Sequence, residues 1–252
     1  TPGLDPHDFA LSAREVADME RARLVVVNGL GLEGGMTTAL QNVRVDGGRI
    51  FEVAPTVNPQ PLAQAAHDHA DASGHDGDDP HVWMDVARMA SAAGHLGDAL
   101  AEATGNGRYA ACGRQVQASL TSTDAEVRRI LAAIPAERRV LVTDHDALGY
   151  FASAYGFRIA GVVVPGGSTE AEPSSAELSA LVDTVRSTGV RAIFSNTAVS
   201  PKLVQAVSAD AGAAVAVVPL YVDSVGPAGS DASTYAAMML HDARAVAAAL
   251  TN

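Results

Sequence analysis

Cysteine is nearly missing from this chain. Cys112 is the single one in 252 residues, which excludes an internal disulfide and any cysteine-based zinc site. Its surroundings, Tyr109-Ala110-Ala111-Cys112-Gly113, read as helix, and a buried, inert thiol is expected there. Basic residues are also scarce: 17 Lys and Arg against 29 Asp and Glu leave a formal net charge of −12. A chain this acidic repels phosphate backbones and anionic lipid, which argues against nucleic acid as a partner. The same negative field concentrates cations. No run of 18 or more apolar residues occurs, so no membrane-spanning helix is expected. No leader pattern is visible either, and the opening Thr1-Pro2-Gly3, without Met, is the kind left when a leader has been removed.

Apolar material is plentiful: 48% of residues are hydrophobic and 18% charged, enough for one large domain or two lobes with packed cores. Strands and helices alternate along nearly the whole chain, the signature of an α/β fold with mostly parallel sheets. Ser12-Ala13-Arg14-Glu15 reads as a capping box opening a short helix. The strand Leu24–Val27, a turn at Asn28-Gly29 and the strand Ile50–Val53 follow. A helix is expected over Val86–Ala103, then a long one over Arg108–Ile134 stopped by Pro135. At about 1.5 Å per residue it would reach roughly 40 Å, enough to tie two lobes together. The alternation then restarts with strand Val140–Val142, helix Ala147–Tyr155 and strand Ile159–Val164. A second capping box, Ser174-Ser175-Ala176-Glu177, opens a helix to Thr188. Strand Ala192–Ser195, a helix from Ser200 with Pro201 at its first position, strand Val215–Val218 and a helix over Ser233–Leu250 complete the chain.

The eight histidines fall into three kinds. His95 and His241 lie in expected helices without an acidic or histidine partner at ligand spacing, and read as ordinary surface or packed residues. His67, His69 and His75 sit in an aspartate-rich tract from His67 to Asp79 with almost nothing apolar to bury, expected to be a mobile surface loop. Either it is merely solvated or it captures metal weakly. His7, His81 and His145 each occupy a compact polar motif at an expected loop or strand end, and carboxylates flank all three. A carboxylate that accepts the free imidazole N–H fixes the tautomer and makes a metal ligand more basic. Only the fold could bring residues so far apart together, so spacing alone leaves both a metal site and ordinary histidines open.

The motifs together carry a resemblance. They are Gly3-Leu4-Asp5-Pro6-His7-Asp8-Phe9, Asn28-Gly29-Leu30-Gly31-Leu32-Glu33, Asp79-Pro80-His81-Val82-Trp83-Met84-Asp85, His145-Asp146-Ala147-Leu148-Gly149-Tyr150-Phe151, Tyr155-Gly156, Glu172-Pro173-Ser174 and Asp223-Ser224-Val225-Gly226. In this order the chain resembles the solute-binding proteins of zinc and manganese ABC importers, and the His/Asp-rich tract ahead of Asp79-Pro80-His81 is typical of the zinc-specific members. The resemblance implies two metal-binding lobes, residues 1–106 and 136–252, joined by one rigid helix within 107–135. It implies that the usual first strand is missing from the N-terminal lobe. It assigns the ligands to His7 and His81 from that lobe and to His145 and Asp223 from the other. Zinc-selective relatives carry histidine at the third position and manganese-selective ones a carboxylate, in keeping with ligand hardness. Relatives usually carry Glu at the position of Asn196.

The implied function is that of a zinc-binding receptor, without enzymatic activity, which captures Zn²⁺ between its lobes and delivers it to an ABC permease. It would act as a monomer in a periplasmic or other extracytoplasmic setting, with a zinc metallochaperone as a further partner and His67, His69 and His75 as an auxiliary metal loop. Two other readings stay open: an extracytoplasmic metal buffer or adhesin, and a zinc hydrolase with Asp144 or Asp146 as general base. The hydrolase needs water as one of the four ligands, because four protein ligands leave no open position for catalysis.

Overall fold

The computed structural model describes residues 3–62, 77–166, 169, 172–212 and 215–251. His67, His69 and His75 lie outside the described residues. The chain folds as α/β, with two parallel sheets flanked by helices. Helix α1 (Ala13–Glu20) starts where expected: Ser12 accepts the backbone N–H of Glu15, and the Glu15 carboxylate returns to the backbone of Ser12. Strands β1 (Val25–Val27) and β2 (Ile50–Glu52) pair in parallel, with Val26 opposite Phe51. Between them runs α2 (Thr37–Val45), a stretch to which the sequence pattern assigns no element. Its two threonines and two valines are weak helix formers. What holds it is the packing of Leu40 and Val43, one turn apart, onto Val25 and Val27.

Two helices follow as an antiparallel pair, α3 (Val86–Thr104) and α4 (Arg108–Leu131). Asp85 caps α3, accepting from the backbone N–H of Ala87 at 2.9 Å and that of Arg88 at 3.4 Å. At the crossing, glycines allow backbone contact: a Cβ on Gly97 would stand 2.8 Å from both Gly113 Cα and the Tyr109 carbonyl. Gly113 faces inward, and its neighbour Cys112 therefore points to solvent. The expectation of a buried thiol is thus corrected: the thiol sits on the exposed face of α4.

The second sheet holds β3 (Val140–His145), β4 (Arg158–Val164), β5 (Ala192–Asn196) and β6 (Ala216–Leu220), in the order β4-β3-β5-β6 and all parallel. The crossovers are α5 (Gly149–Tyr155), α6 (Ser175–Thr188) and α7 (Lys202–Ala211). Alternation along the strands feeds two cores. Val142 and Ile193 pack with Leu181, Val185 and Val207 under α6 and α7, while Leu141 and Phe194 turn to the other face. There α4, α5 and the last helix, α8 (Tyr235–Thr251), close a larger core. That core also takes in Ala54, Val82, Met84 and Val86, so a single apolar cluster spans both sheets' surroundings. Helix α4 packs on α3 on one side and α8 on the other.

Candidate metal centre

The strand order decides where a ligand can sit. The chain leaves β3 for β4 on one side and later returns to add β5 on the other, so the crevice opens between the carboxyl ends of β3 and β5, the usual binding position in such sheets. His145 is the last residue of β3 and Asn196 the last of β5. Asp223 follows three residues after β6. From the first half of the chain, Asp5-Pro6-His7 and Asp79-Pro80-His81 form the same turn: in each, the Asp Oδ1 accepts the backbone N–H of the histidine two residues on, at 2.9 Å. The Asn28-Gly29 turn steadies the second of these, with Asn28 Nδ2 donating to the Pro80 carbonyl at 2.9 Å.

These four segments bring their side chains together. His7, His81, His145 and Asp223 each offer one ligand atom, and all four atoms lie within 4.8 Å of one another. His7 Nε2 and His81 Nε2 are 3.3 Å apart, and His145 Nε2 is 3.4 Å from Asp223 Oδ2. A tetrahedral ion with ligands at about 2.0–2.1 Å has edges of about 3.3 Å, so both pairs already stand at that spacing. His81 and His145 are buried, as is the Asp223 side chain. His145 Nε2 and Asp223 Oδ1 are nevertheless buried without a hydrogen-bond partner. Orphaned groups of that kind are costly unless an ion completes them, so the donor set fits a divalent cation.

The outward nitrogens of two imidazoles are held by carboxylates, as the flanking aspartates suggested: His81 Nδ1 lies 2.7 Å from Asp79 Oδ1, and His145 Nδ1 lies 3.0 Å from Asp144 Oδ1. Both therefore present Nε2 to the centre. Burial alone would lower the pKa of His145, but the hydrogen bond with Asp144 and the negative charges of Asp223 and Asp144 outweigh it and raise the value to about 10. His7 is lowered, by burial first and then by the charge of His81. Burial would raise Asp223, yet the close approach and charge of His145, followed by the charges of His81 and His7, bring it below the ordinary carboxylate range.

The Asp223 segment is tied down from several sides. Tyr221 N–H donates to Asp242 Oδ1 on α8 at 3.1 Å. Trp83 Nε1 donates to the Val222 carbonyl at 2.7 Å, and Tyr235 Oη donates to the Trp83 carbonyl at 2.6 Å. Ser224 Oγ accepts from Gly3 N–H at 2.6 Å. Trp83 also stacks edge-on against His81, with ring centroids 5.2 Å apart.

Residues 1–249 match the family described as ZnuA, zinc-uptake complex component A, periplasmic. The chain belongs to this family. Among ZnuA-family relatives, the zinc-binding protein TroA of Treponema pallidum (strain Nichols) is 33% identical, the match spanning 99% of this chain and 79% of that protein. The manganese-binding lipoprotein MntA of Halalkalibacterium halodurans is 31% identical over 95% of this chain and 76% of its own length. The solved structure of periplasmic zinc-binding TroA from Treponema pallidum superposes with a TM-score of 0.86 at 32% identity, covering all of this chain and 89% of that one. As a ZnuA-family member the chain is a metal-binding substrate-binding component of an ABC transporter, and not an enzyme. Its family works with permease and ATPase components. No helix of the described residues is long and apolar enough to cross a membrane.

Of the remaining histidines, His95 is exposed on α3. His241 has an acidic partner that helix spacing does not reveal, Asp231 Oδ2 at 2.9 Å. Asp146 is buried beside Asp79, and burial with the charge of Asp79 raises its pKa to about 7. The sequence does not reveal the tie made by Trp83, although that residue stands inside the Asp79–Asp85 motif, nor the contacts of Asn196, noted there only as a place where relatives usually carry Glu.

Proposed function

We propose that this chain is the high-affinity zinc receptor of an ABC importer. It holds Zn²⁺ between lobes formed by residues 1–106 and 136–252, joined by the helix within 107–135, and hands it to the membrane permease. His7, His81, His145 and Asp223 are the ligands in this reading. The observation that carries it is the convergence of three Nε2 atoms and a carboxylate within 4.8 Å, with two pairs at tetrahedral spacing. Three neutral imidazoles and one carboxylate leave a site of about +1 with a divalent ion, and imidazole at the third position favours zinc over the harder manganese. The likeness to the protein named zinc-binding TroA supports zinc; the likeness to manganese-binding MntA supports manganese as the second reading. That TroA is periplasmic and MntA a lipoprotein supports a site of action outside the cytoplasm, whether free or lipid-anchored. The tract with His67, His69 and His75 stands directly ahead of Asp79-Pro80-His81, and in this reading captures zinc weakly and tethers it near the main site.

Competition titration of the metal-free protein with zinc and manganese tests the proposal. One zinc per chain is expected, bound in preference to manganese, with His145→Ala weakening zinc by at least about tenfold and His95→Ala without effect. Equal zinc affinity in wild type and His145→Ala removes this site; a preference for manganese replaces the zinc reading with the second.

A further inference from the structure

Asn196 is not one of the four candidate ligands, yet it is bonded to both parts of the site that follow strands of the second sheet. Its backbone N–H donates to Asp144 Oδ2 at 2.5 Å, the carboxylate whose other oxygen orients His145. Its side-chain Nδ2 donates to Asp223 Oδ2 at 2.6 Å. Its Oδ1 accepts the backbone N–H of Ala198 at 3.0 Å. That third bond settles which way the amide faces: the oxygen is engaged by the turn after β5, so the NH₂ group must point at Asp223. The residue is 2% exposed and sits on the last position of β5, where the sheet ladder fixes its backbone against Leu220. Asp223 therefore meets a rigid, neutral donor on one oxygen, while its Oδ1 is buried and unpartnered.

We infer that Asn196 is a positioning and selectivity residue of the metal centre, a neutral clamp that fixes the Asp223 carboxylate and keeps a second anionic oxygen out of the cation's reach. This rests on the four-ligand site proposed above. An acceptor at this place would do the reverse. The change Asn196→Asp preserves the side-chain shape, keeps the backbone bond to Asp144, and replaces the donor by an oxygen anion beside Asp223. The site would then hold two carboxylates, gain a hard ligand, and move from four-coordination towards the higher oxygen coordination that manganese prefers. Removing the amide altogether leaves Asp223 free to rotate, as loss of a group that orients a ligand does.

The test compares Asn196→Asp and Asn196→Ala with wild type by zinc and manganese competition, by the visible spectrum of the cobalt(II)-loaded protein, and by melting of the metal-free protein. Cobalt absorbs strongly with four ligands and weakly with five or six. Asn196→Asp is expected to narrow the zinc-to-manganese affinity ratio by about tenfold and to weaken the cobalt band. Asn196→Ala is expected to lose about 10- to 100-fold in zinc affinity while keeping the preference for zinc. If Asn196→Ala does not fold, the isosteric Asn196→Asp decides alone. An unchanged ratio and cobalt spectrum in folded Asn196→Asp overturns the inference while leaving the ligand assignment intact. Should His145→Ala and Asp223→Ala also bind zinc like wild type, it is the assignment itself that fails.

Discussion

Each oxygen of Asp144 serves a different neighbour: Oδ1 takes the His145 backbone N–H at 2.8 Å and its ring Nδ1 at 3.0 Å, and Oδ2 takes Asn196. The proton this environment places on metal-free His145 has a measurable consequence. With its pKa at about 10, the ring is a cation at neutral pH and must lose that proton to bind metal. Calorimetric titration near pH 7.5 in buffers of different ionisation enthalpy should therefore report about one proton released per ion; release of none would contradict a protonated His145. The sign for stability follows from the same shift: the folded value lies above 6.5, so the pairing stabilises the metal-free fold below about pH 6.5 and fades as pH rises through about 10. Asp242 behaves in the opposite sense to an ordinary surface carboxylate. Burial raises it to about 8, and its Oδ2 has no partner, so the charged form is disfavoured and stability falls as pH climbs from about 4 to about 8. Asp242→Asn keeps an acceptor for Tyr221 N–H and removes the charge. Its melting point should match wild type near pH 5 and exceed it by several degrees near pH 8.5. The Asp-Pro-His motifs were legible because proline and aspartate fix a turn within three residues. The contacts of Asn196 and Asp242 were not, because each depends on a strand register or helix placement that no local pattern encodes.

At the scale of elements, the α3–α4 pair is set by backbone contact. Gly97→Ala would push a methyl group to within 2.8 Å of Gly113 Cα, and Gly113→Ala to within 2.6 Å of the Ala93 carbonyl. Neither neighbour is a flexible side chain, so the helices must separate. Each change should cost about 1–3 kcal/mol in urea denaturation, and the double variant less than the sum, because both act on one crossing. Additive costs would mean that the two glycines do not share a contact. Long, strongly patterned elements such as α4, and the capped helices α1 and α6, could be read directly from the chain. Helix α2 could not, since Thr37, Thr38, Val43 and Val45 oppose helix formation locally and only its seat on β1 decides the matter. The end of β3 lies beyond the expected Val142 for the same reason: the strand runs on through Thr143, Asp144 and His145, polar residues that pairing with β4 keeps extended.

For the whole molecule, the shared cluster that joins Val82, Met84 and Val86 to Leu141, Phe194 and Val246 predicts one unfolding event. Calorimetry of the metal-free protein should show a single transition with equal calorimetric and van't Hoff enthalpies; two resolved transitions would mean independent lobes. Helix α4, about 36 Å long by its 24 residues, lies between α3 and α8, so loading should leave the radius of gyration in X-ray scattering unchanged. Metal entry then falls to the short segments bearing His7, His81 and Asp223. Trp83 joins two of these: its ring leans on His81 and its indole N–H is bonded to the carbonyl just before Asp223. It is also the only tryptophan in the chain. All indole emission from the unlabelled protein therefore originates at one ring, in contact with one candidate ligand and bonded beside another, and a fluorimeter can follow loading and release in real time without any attached dye.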